Sequence, residues 1–482
     1  MALAASVLAL ILVGGGGAAW WQLERTAVAR DVEAALAEAA LHQKAGRWPE
    51  VRAALERAEG RLGSSGPESL RQTLHQAKAD ADMVAELDEI RLRPSETTLE
   101  GGRSAHDQAI GRDMDVRYTG AFRRYGIDVE ALEAPEAAAR VRRSAIRDEL
   151  LTAIGNWLRM SNASQTKLLA VTEEADDDPW RRSFREAWRR HDAKRMKALA
   201  AEAEALAQPP AMLEWLAAYL ADAGLSEEAA VLLRQAQQRY PGDFWISLTL
   251  GNVCRRLHPP RPQEAVGYMR AAVAIRPGSA GAHHNLGAVL GDSGAWAAAL
   301  GEFRRAIELD PQDSRAHDGL GATLWNIGDR SGAIGEFRRA VELDPQDSYA
   351  QAHLGGALKE GDDLNGAVSE FRQALMLDPN NTRARDDLVK ALAPQGRLEE
   401  ALGTWGAALE QAPPNHDAWN GYAELCAFLG RDEEYRRTCR ALLDRFGVDP
   451  ADFPHAGPFS RMILADFRRV RLTVGDGLAH GL

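Results

Sequence analysis

A pattern of glycine, alanine, aromatic and proline residues recurs every 34 residues in the second half of this chain. Counted from Ala280, Leu and Gly stand at places seven and eight, Leu at eleven, Ala at twenty, Phe at twenty-four, Ala at twenty-seven and Pro at thirty-two. The same residues return at the same places counted from Ser314 and from Ser348. A constant period of this length predicts a solenoid of stacked helical hairpins, because each hairpin must bury its apolar face against the next.

The register of this repeat extends beyond these three copies. Repeats start near 210, 244, 280, 314, 348, 382 and 416, which makes about seven, and the copy at 244 needs two extra residues in its HPPRP turn. The small residues at places eight and twenty let two helices approach closely, and the large residue at twenty-four fills the space between hairpins. Proline at thirty-two ends the second helix because it lacks the N–H that would continue it. We find no segment typical of a strand.

On these places, residues 210–447 resemble the tetratricopeptide repeat (TPR) family, over roughly half of the chain. The resemblance implies an all-α fold, a right-handed superhelical solenoid whose concave groove binds peptides or helices of partner proteins. For the rest of the chain we predict a transmembrane helix at 1–23, a TPR-like helical hairpin region at 24–93, a helical linker domain at 94–209 and a C-terminal tail at 448–482.

The first 23 residues carry no charged side chain. At about 1.5 Å per residue, a helix of this length crosses a hydrocarbon core of about 30 Å, and the pair Trp20–Trp21 suits the lipid interface. We therefore predict a single-pass membrane anchor that contacts lipid through residues 1–23. A cleaved signal peptide is one alternative, although no Lys or Arg precedes the apolar run. A buried core helix is the other, and Gly14 to Gly17 would weaken it.

Several segments also resemble the region that follows the kinase domain in certain bacterial transmembrane Ser/Thr protein kinases. The likeness rests on WWQLERTAVARDVEAALAEA, GRWPEVRAALERAEGRL, DPWRRSFREAWRRHDAK and the ending HDAWNGYAELCAFLGRDEEYRRTCRALLDRFG. The kinase domain itself is missing, because the sequence has no glycine-rich loop before a strand Lys, no HRD with a downstream Asn and no DFG. We therefore predict that the chain is not an enzyme, and the resemblance implies only architecture and membrane context.

Two arguments about the membrane side of the repeats conflict. Arg25 and Arg30 follow the predicted span and no cation precedes it, so the positive-inside rule places the repeats in the cytoplasm. The kinase resemblance places them outside, because a kinase domain before the span must reach cytoplasmic ATP. We favour the extracytoplasmic side.

The charge balance and the cysteines bear on partners and on redox chemistry. With 58 Lys and Arg against 70 Asp and Glu, the net charge is -12, which argues against a nucleic-acid partner.

The three cysteines, Cys254, Cys426 and Cys439, stand at packing places of the repeat and show no metal-binding spacing. A bond between Cys426 and Cys439 on facing helices stays open as an alternative.

Four histidines near the start of successive repeats raise the question of a metal site: His283, His284, His317 and His353. His283 and His317 share place four, so repetition of the pattern explains them, and no carboxylate completes a ligand set in the sequence. We therefore predict neither a metal nor a cofactor.

The first helix of each repeat carries the residues that we predict to bind a partner. In the resembled family, places two, five, nine and twelve of this helix face the concave groove. The predicted groove residues at these places are Arg255, His284, Arg315, Asp318, Trp325, Tyr349, Lys359, Arg383, Asp386 and Lys390. Their charges and aromatic rings suit an acidic or C-terminal peptide. We predict a membrane-tethered scaffold for protein partners; the alternative is the sensor or docking part of a Ser/Thr kinase whose catalytic domain is absent from this chain.

Overall fold

The computed structural model describes only part of the chain. The described residues are 24–43, 47–63, 67–95, 105–160, 165–202, 204–411, 419, 422–423, 425–427 and 429–446. Every regular element within these ranges is a helix. The prediction of an all-α fold is confirmed for this part of the chain.

Nine described α-helices precede the repeats. They are α1 at 24–43, α2 Trp48–Leu62, α3 Glu68–Ser95, α4 Ala105–Arg124, α5 Ala134–Arg143, α6 Arg147–Met160, α7 Gln165–Ala175, α8 Pro179–Arg189 and α9 Ala193–Ala201. A short 3-10 helix, Ala205–Ala207, leads into the first repeat.

Two apolar clusters hold most of these helices together. The first joins α1, α2 and the beginning of α3 around the buried Leu55. In the second, Tyr118 and Phe122 on α4 pack against Trp157 on α6, with ring centroids 5.5 and 5.7 Å apart. Nε1 of Trp157 donates to Oδ1 of Asp115 (2.7 Å), so the buried indole keeps a hydrogen-bond partner. The helices before the repeats therefore have a core of their own.

Twelve helices follow in pairs, and each pair is a first and a second helix of one repeat. The pairs are α10 Pro210–Asp222 with α11 Ser226–Arg239, α12 Phe244–Arg256 with α13 Pro262–Ile275, α14 Ala280–Asp292 with α15 Trp296–Leu309, α16 Ser314–Ile327 with α17 Arg330–Leu343, α18 Ser348–Glu360 with α19 Leu364–Leu377, and α20 Thr382–Leu392 with α21 Leu398–Gln411. A 3-10 helix, Ala393–Gln395, follows α20. Residues 422–423 and 425–427 are also helical, and α22 is Asp432–Phe446.

By its internal contacts the chain divides into two compact units. Unit 1 extends through Arg261, apart from residues 102–106, and unit 2 begins at Pro262. Unit 1 therefore contains the first repeat and the first helix of the second repeat. The repeats from α14 onward lie in unit 2.

Side-chain caps fix where the repeat helices begin. Asp313 and Asp347 precede first helices, and Asp329 and Asp363 precede second helices. Each carboxylate accepts from backbone N–H groups of the first turn; Oδ1 of Asp347, for example, accepts from Tyr349 N at 2.8 Å. Those N–H groups have no acceptor inside the helix, so each cap contributes about 1 kcal/mol.

The phenylalanine at place twenty-four explains the glycine at place eight. The ring of Phe303 on α15 lies against Gly287 of its own hairpin, where an added Cβ would stand 3.1 Å from the ring, and against Gly319 of the next hairpin. The same contact within a hairpin recurs in the next two repeats, between Phe337 and Gly321 and between Phe371 and Gly355. Because the ring of Phe303 touches two hairpins, it joins neighbouring repeats into one stack.

The prediction of a single-pass membrane location is wrong on the structure. Among the described residues, no helix combines the length and the apolar composition that crossing a bilayer requires. The predicted span itself, residues 1–23, lies outside the described residues.

Candidate functional site

The predicted groove residues divide between the two units. Arg255 lies on α12 in unit 1, whereas the other nine lie on first helices of unit 2. Within unit 2, side chains from α16, α18 and α20 meet in two groups, which we call the His353 cluster (Asp318, His353 and Arg383) and the Asp387 cluster (Lys359, Asp387 and Lys390).

In the His353 cluster, one imidazole connects three consecutive first helices. Nδ1 of His353 on α18 donates to Oδ1 of Asp318 on α16 (2.8 Å). Nε2 of the same ring lies 3.3 Å from Nη1 of Arg383 on α20. The negative charge of Asp318 raises the pKa of His353 above its usual value, against the opposing effect of burial. The ring therefore joins predicted groove residues of different repeats.

In the Asp387 cluster, two lysines share one carboxylate. Nζ of Lys359 on α18 donates to Oδ1 of Asp387 on α20 (2.8 Å), and Nζ of Lys390 lies 3.2 Å from the same oxygen. Burial raises the pKa of Asp387, but the two lysines outweigh it, so the pKa lies below the usual range. Two cations against one anion leave a net positive charge, and the Lys390 side chain is 66% exposed.

The other predicted groove residues in unit 2 have individual surroundings. The ring of His284 meets that of Phe303 edge-on, at a centroid distance of 5.6 Å. The guanidinium of Arg330 stacks 3.7 Å above the ring of Trp325. Asp386 accepts from Nε1 of Trp405 (3.2 Å). Place two of successive first helices holds Arg315, which is half-buried, Tyr349, which is 47% exposed, and Arg383, which is exposed.

Sequence reasoning missed two central members of these clusters, His353 and Asp387. Both stand at place six of a first helix, which was not among the places assigned to the groove. Place six also faces the preceding repeat, because the His353 ring lies 5.7 Å from that of Phe337. Acidic and basic residues alternate between the first helices of neighbouring repeats, and this pattern in the sequence could have indicated the two clusters.

In the structure, the two histidines at place four each contact the second helix of their own hairpin. Nδ1 of His283 lies 2.7 Å from Oε2 of Glu302, and Nδ1 of His317 lies 2.7 Å from Oε2 of Glu336. Each pair joins a first helix to its second helix. No group of three or more metal-ligating side chains occurs in the part of the chain that the structure describes. The three cysteines are buried free thiols.

In unit 1, the end of α3 contacts the groove-facing places of the first two repeats. Nη2 of Arg91 donates to Oε2 of Glu214, at place five of α10 (2.8 Å), and its guanidinium lies 4.1 Å from the ring centre of Trp245, at place two of α12. Nε1 of Trp245 donates to Oδ1 of Asp88 on α3 (3.3 Å). Helix α3 therefore covers part of the predicted groove places within unit 1.

A buried carboxylate elsewhere in unit 1 is structural. Asp176 accepts from Nε of Arg181 (2.8 Å) and from Nη1 of Arg185 (2.6 Å), and it holds α7 against α8. Burial raises the pKa of Asp176, but the two guanidinium groups lower it below its usual range. Because both oxygens of this buried carboxylate already accept from the two guanidinium groups, we assign Asp176 no binding role.

Comparison with known families identifies the repeats. Two family models described as tetratricopeptide repeat match residues 260–314, 319–382 and 357–425. The chain contains tetratricopeptide repeats. The TPR matches coincide with the hairpins from α13 to α21 and cover about a third of the chain.

Several solved structures are similar to part of this chain. They include pilF of Pseudomonas aeruginosa (18% identity, 45% of this chain, 96% of that chain, TM-score 0.38) and a thermophilic TPR protein of Thermus thermophilus (19%, 38%, 100%, 0.34). A third is YrrB, titled as a TPR protein with an unusual peptide-binding site (21%, 40%, 96%, 0.30). No curated protein sequence matches this chain. The resemblance to kinase-associated regions gains no support from these comparisons.

Proposed function

We propose that this chain is a protein-interaction scaffold that binds a segment of a partner protein along the first helices of unit 2. TPR repeats stack into extended surfaces, and such surfaces serve for the recognition of peptides and helices. The partner is a protein or peptide, and the binding surface runs over α16, α18 and α20.

The observation that carries this proposal is the continuity of polar contacts across repeats. The His353 cluster joins α16, α18 and α20, and the Asp387 cluster joins α18 to α20. A polar side chain that only exposes its own helix to water needs no hydrogen-bond partner on the next repeat. Contacts that link three first helices instead fix the charged groups in place before a partner arrives, which lowers the entropic cost of binding.

The charges on this surface favour an acidic segment. Asp318 is occupied by His353, and Asp387 by Lys359. The exposed ends of the two clusters are the cations Arg383 and Lys390. Charge-assisted hydrogen bonds to carboxylates are about twice as strong as neutral ones, and their contribution falls as salt is added.

The test measures binding of a fluorescein-labelled acidic peptide, rich in Glu with one Phe, to the full chain by fluorescence anisotropy. Replacing both Arg383 and Lys390 by Glu should weaken binding at least tenfold, about 1.4 kcal/mol. The matched control replaces Arg304 and Arg338, exposed arginines of the second helices, by Glu and makes the same change in net charge. Equal weakening by both pairs would show only a general charge effect and would refute the proposal.

We also propose that the chain acts by binding alone and transfers no phosphate. The support is the sequence, which has no glycine-rich loop before a strand Lys, no HRD with a downstream Asn and no DFG. Turnover of Mg²⁺-ATP by the purified full chain should equal that of a buffer control. Activity that co-purifies with the chain through two unrelated columns would contradict this.

A further inference from the structure

The His353 ring has an acid at one nitrogen and a cation at the other. Both carboxylate oxygens of Asp318 lie within hydrogen-bond distance of Nδ1, at 2.8 and 3.0 Å. Nη1 of Arg383 lies 3.3 Å from Nε2. Asp318 is on α16 and Arg383 is on α20, so the ring on α18 is contacted from both neighbouring first helices. Because the two nitrogens meet opposite charges, a change in the protonation of the ring affects the two contacts differently.

A neutral ring satisfies both contacts. An uncharged imidazole carries a hydrogen on one nitrogen and a lone pair on the other. The ionised carboxylate of Asp318 only accepts and the guanidinium of Arg383 only donates, so the hydrogen belongs on Nδ1 and the lone pair on Nε2. In this state the ring accepts from Arg383 and holds its exposed guanidinium against α18.

Protonation of the ring keeps one contact and opposes the other. An imidazolium carries a hydrogen on both nitrogens, so Nδ1 still donates to Asp318, now through a charge-assisted hydrogen bond. Nε2–H then faces the N–H groups of Arg383, so that two donors with like charges meet. The summed charge of Asp318, His353 and Arg383 rises from zero to plus one. Because Arg383 is exposed, its guanidinium is able to turn away from the ring toward a bound segment.

The surroundings of the ring favour this protonation. Asp318 on α16 has the largest effect and raises the pKa of His353 above its usual value. Asp347, in the turn before α18, also raises this pKa, whereas burial and Arg383 on α20 lower it. Helix α17 presents the uncharged ring of Phe337, 5.7 Å from that of His353. The His353 side chain is 24% exposed, so protons from solvent reach it.

We propose that His353 is a positioning residue whose protonation turns Arg383 from the ring to the bound segment, so that the scaffold holds an acidic segment more tightly at lower pH. This inference rests on the proposed function, because it adds regulation to the same surface. The contacts of His353 with Asp318 and of Lys359 with Asp387 are kept in both states. The repeats therefore stay joined while the arginine moves.

The experiment uses the full chain and the acidic peptide of the preceding section, labelled with a rhodamine dye whose emission does not depend on pH. Anisotropy should show binding about fivefold tighter at about pH 6 than at about pH 8.5. His353→Gln, which cannot take up the proton, should bind equally at both. Arg383→Ala should weaken binding at the lower pH and lose most of the difference. His317→Gln is the matched control, because His317 also meets a carboxylate, that of Glu336 at 2.7 Å, but within its own hairpin; it should keep the difference.

An NMR titration of the His353 ring, assigned with His353→Gln, measures the same coupling directly. In the free chain, Arg383→Ala should raise the pKa of His353, because it removes a cation that lowers it. The peptide should also raise this pKa in the wild type, because a proton that strengthens binding is itself bound more tightly in the complex. The extra affinity is then complete below the pKa of the free chain and is lost as pH rises through the pKa of the complex.

The outcomes separate this inference from the proposed function. Equal binding of the wild type at both pH values overturns the inference, and so does a full difference kept by His353→Gln or by Arg383→Ala. The proposed function still stands in these cases if replacing both Arg383 and Lys390 by Glu weakens binding more than the control pair does. A peptide that binds at neither pH contradicts the proposed function and the inference together. Arg383→Ala changes an exposed side chain, so it keeps the test open even if His353→Gln does not fold.

Discussion

The ring of Phe303 lies between two glycines of different repeats, and this contact can be tested by adding one methyl group. A Cβ on Gly319 would overlap Cε1 of the ring and stand 2.6 Å from Cζ and 2.9 Å from Cδ1. The ring also packs against Gly287 of its own hairpin, so closely that a Cβ added there would stand 3.1 Å from Cδ1, Cδ2 and Cε1, and this leaves the ring little room to shift. Gly319→Ala should therefore strain the junction between two hairpins.

The expected change in the free energy of unfolding is the difference between a helix-propensity gain and an overpacking cost. Alanine in place of glycine inside a helix stabilises by about 1 kcal/mol. Overpacking a core position costs about 1–3 kcal/mol, and the trapped ring puts Gly319→Ala at the upper end. We therefore expect a net loss of about 2 kcal/mol in the free energy of unfolding.

The assay is urea unfolding followed by circular dichroism. Gly301→Ala is the matched control, because Gly301 lies on the same helix as Phe303 and a Cβ there would meet nothing within 4 Å. The control should be about 1 kcal/mol more stable than the wild type. If Gly319→Ala is as stable as Gly301→Ala, the reasoning about the trapped ring is refuted.

Three further outcomes follow from other contacts. Arg91→Ala should cost about 3 kcal/mol in urea unfolding, because Glu214 stays buried without its closest cation; a stability equal to that of the wild type would contradict this. His353→Gln should destabilise more near pH 6 than near pH 8, because a raised pKa gives stability that is complete below the ordinary value of 6.5 and is lost as pH rises through the folded value; an equal loss at both pH values would exclude this role. Burial raises the pKa of Cys426 to about 11 and that of Cys439 to about 12, so both thiols should react with a thiol reagent only after denaturant is added; rapid reaction of the folded chain would show that they are accessible.

The periodic part of the fold was predictable because it depends on local chemistry. The helix pairs begin at 210, 244, 280, 314, 348 and 382, where the 34-residue register starts each copy. Proline, glycine and the capping aspartates mark where these helices begin and end, so the sequence predicts each helix boundary to within a few residues. The family matches confirm TPR repeats over residues 260–314, 319–382 and 357–425.

The details of the surface were less predictable, because they depend on how neighbouring repeats are rotated. Place six proved to face both the preceding repeat and the groove residues, as His353 shows by contacting Asp318 and Arg383. The pairing of Arg91 with Glu214 joins residues 123 positions apart, and no period connects them. Which groove residues bind a partner stays a prediction until the variants above are measured.

The contact of α3 with α10 and α12 also decides where a free partner can begin to bind. A segment tethered to its own site is present at roughly millimolar effective concentration. A separate protein at about micromolar concentration therefore competes at a disadvantage of roughly a thousandfold for the same surface. Under the proposed function, Glu214 and Trp245 are therefore already engaged by α3, and we expect a partner segment to bind on the first helices of unit 2.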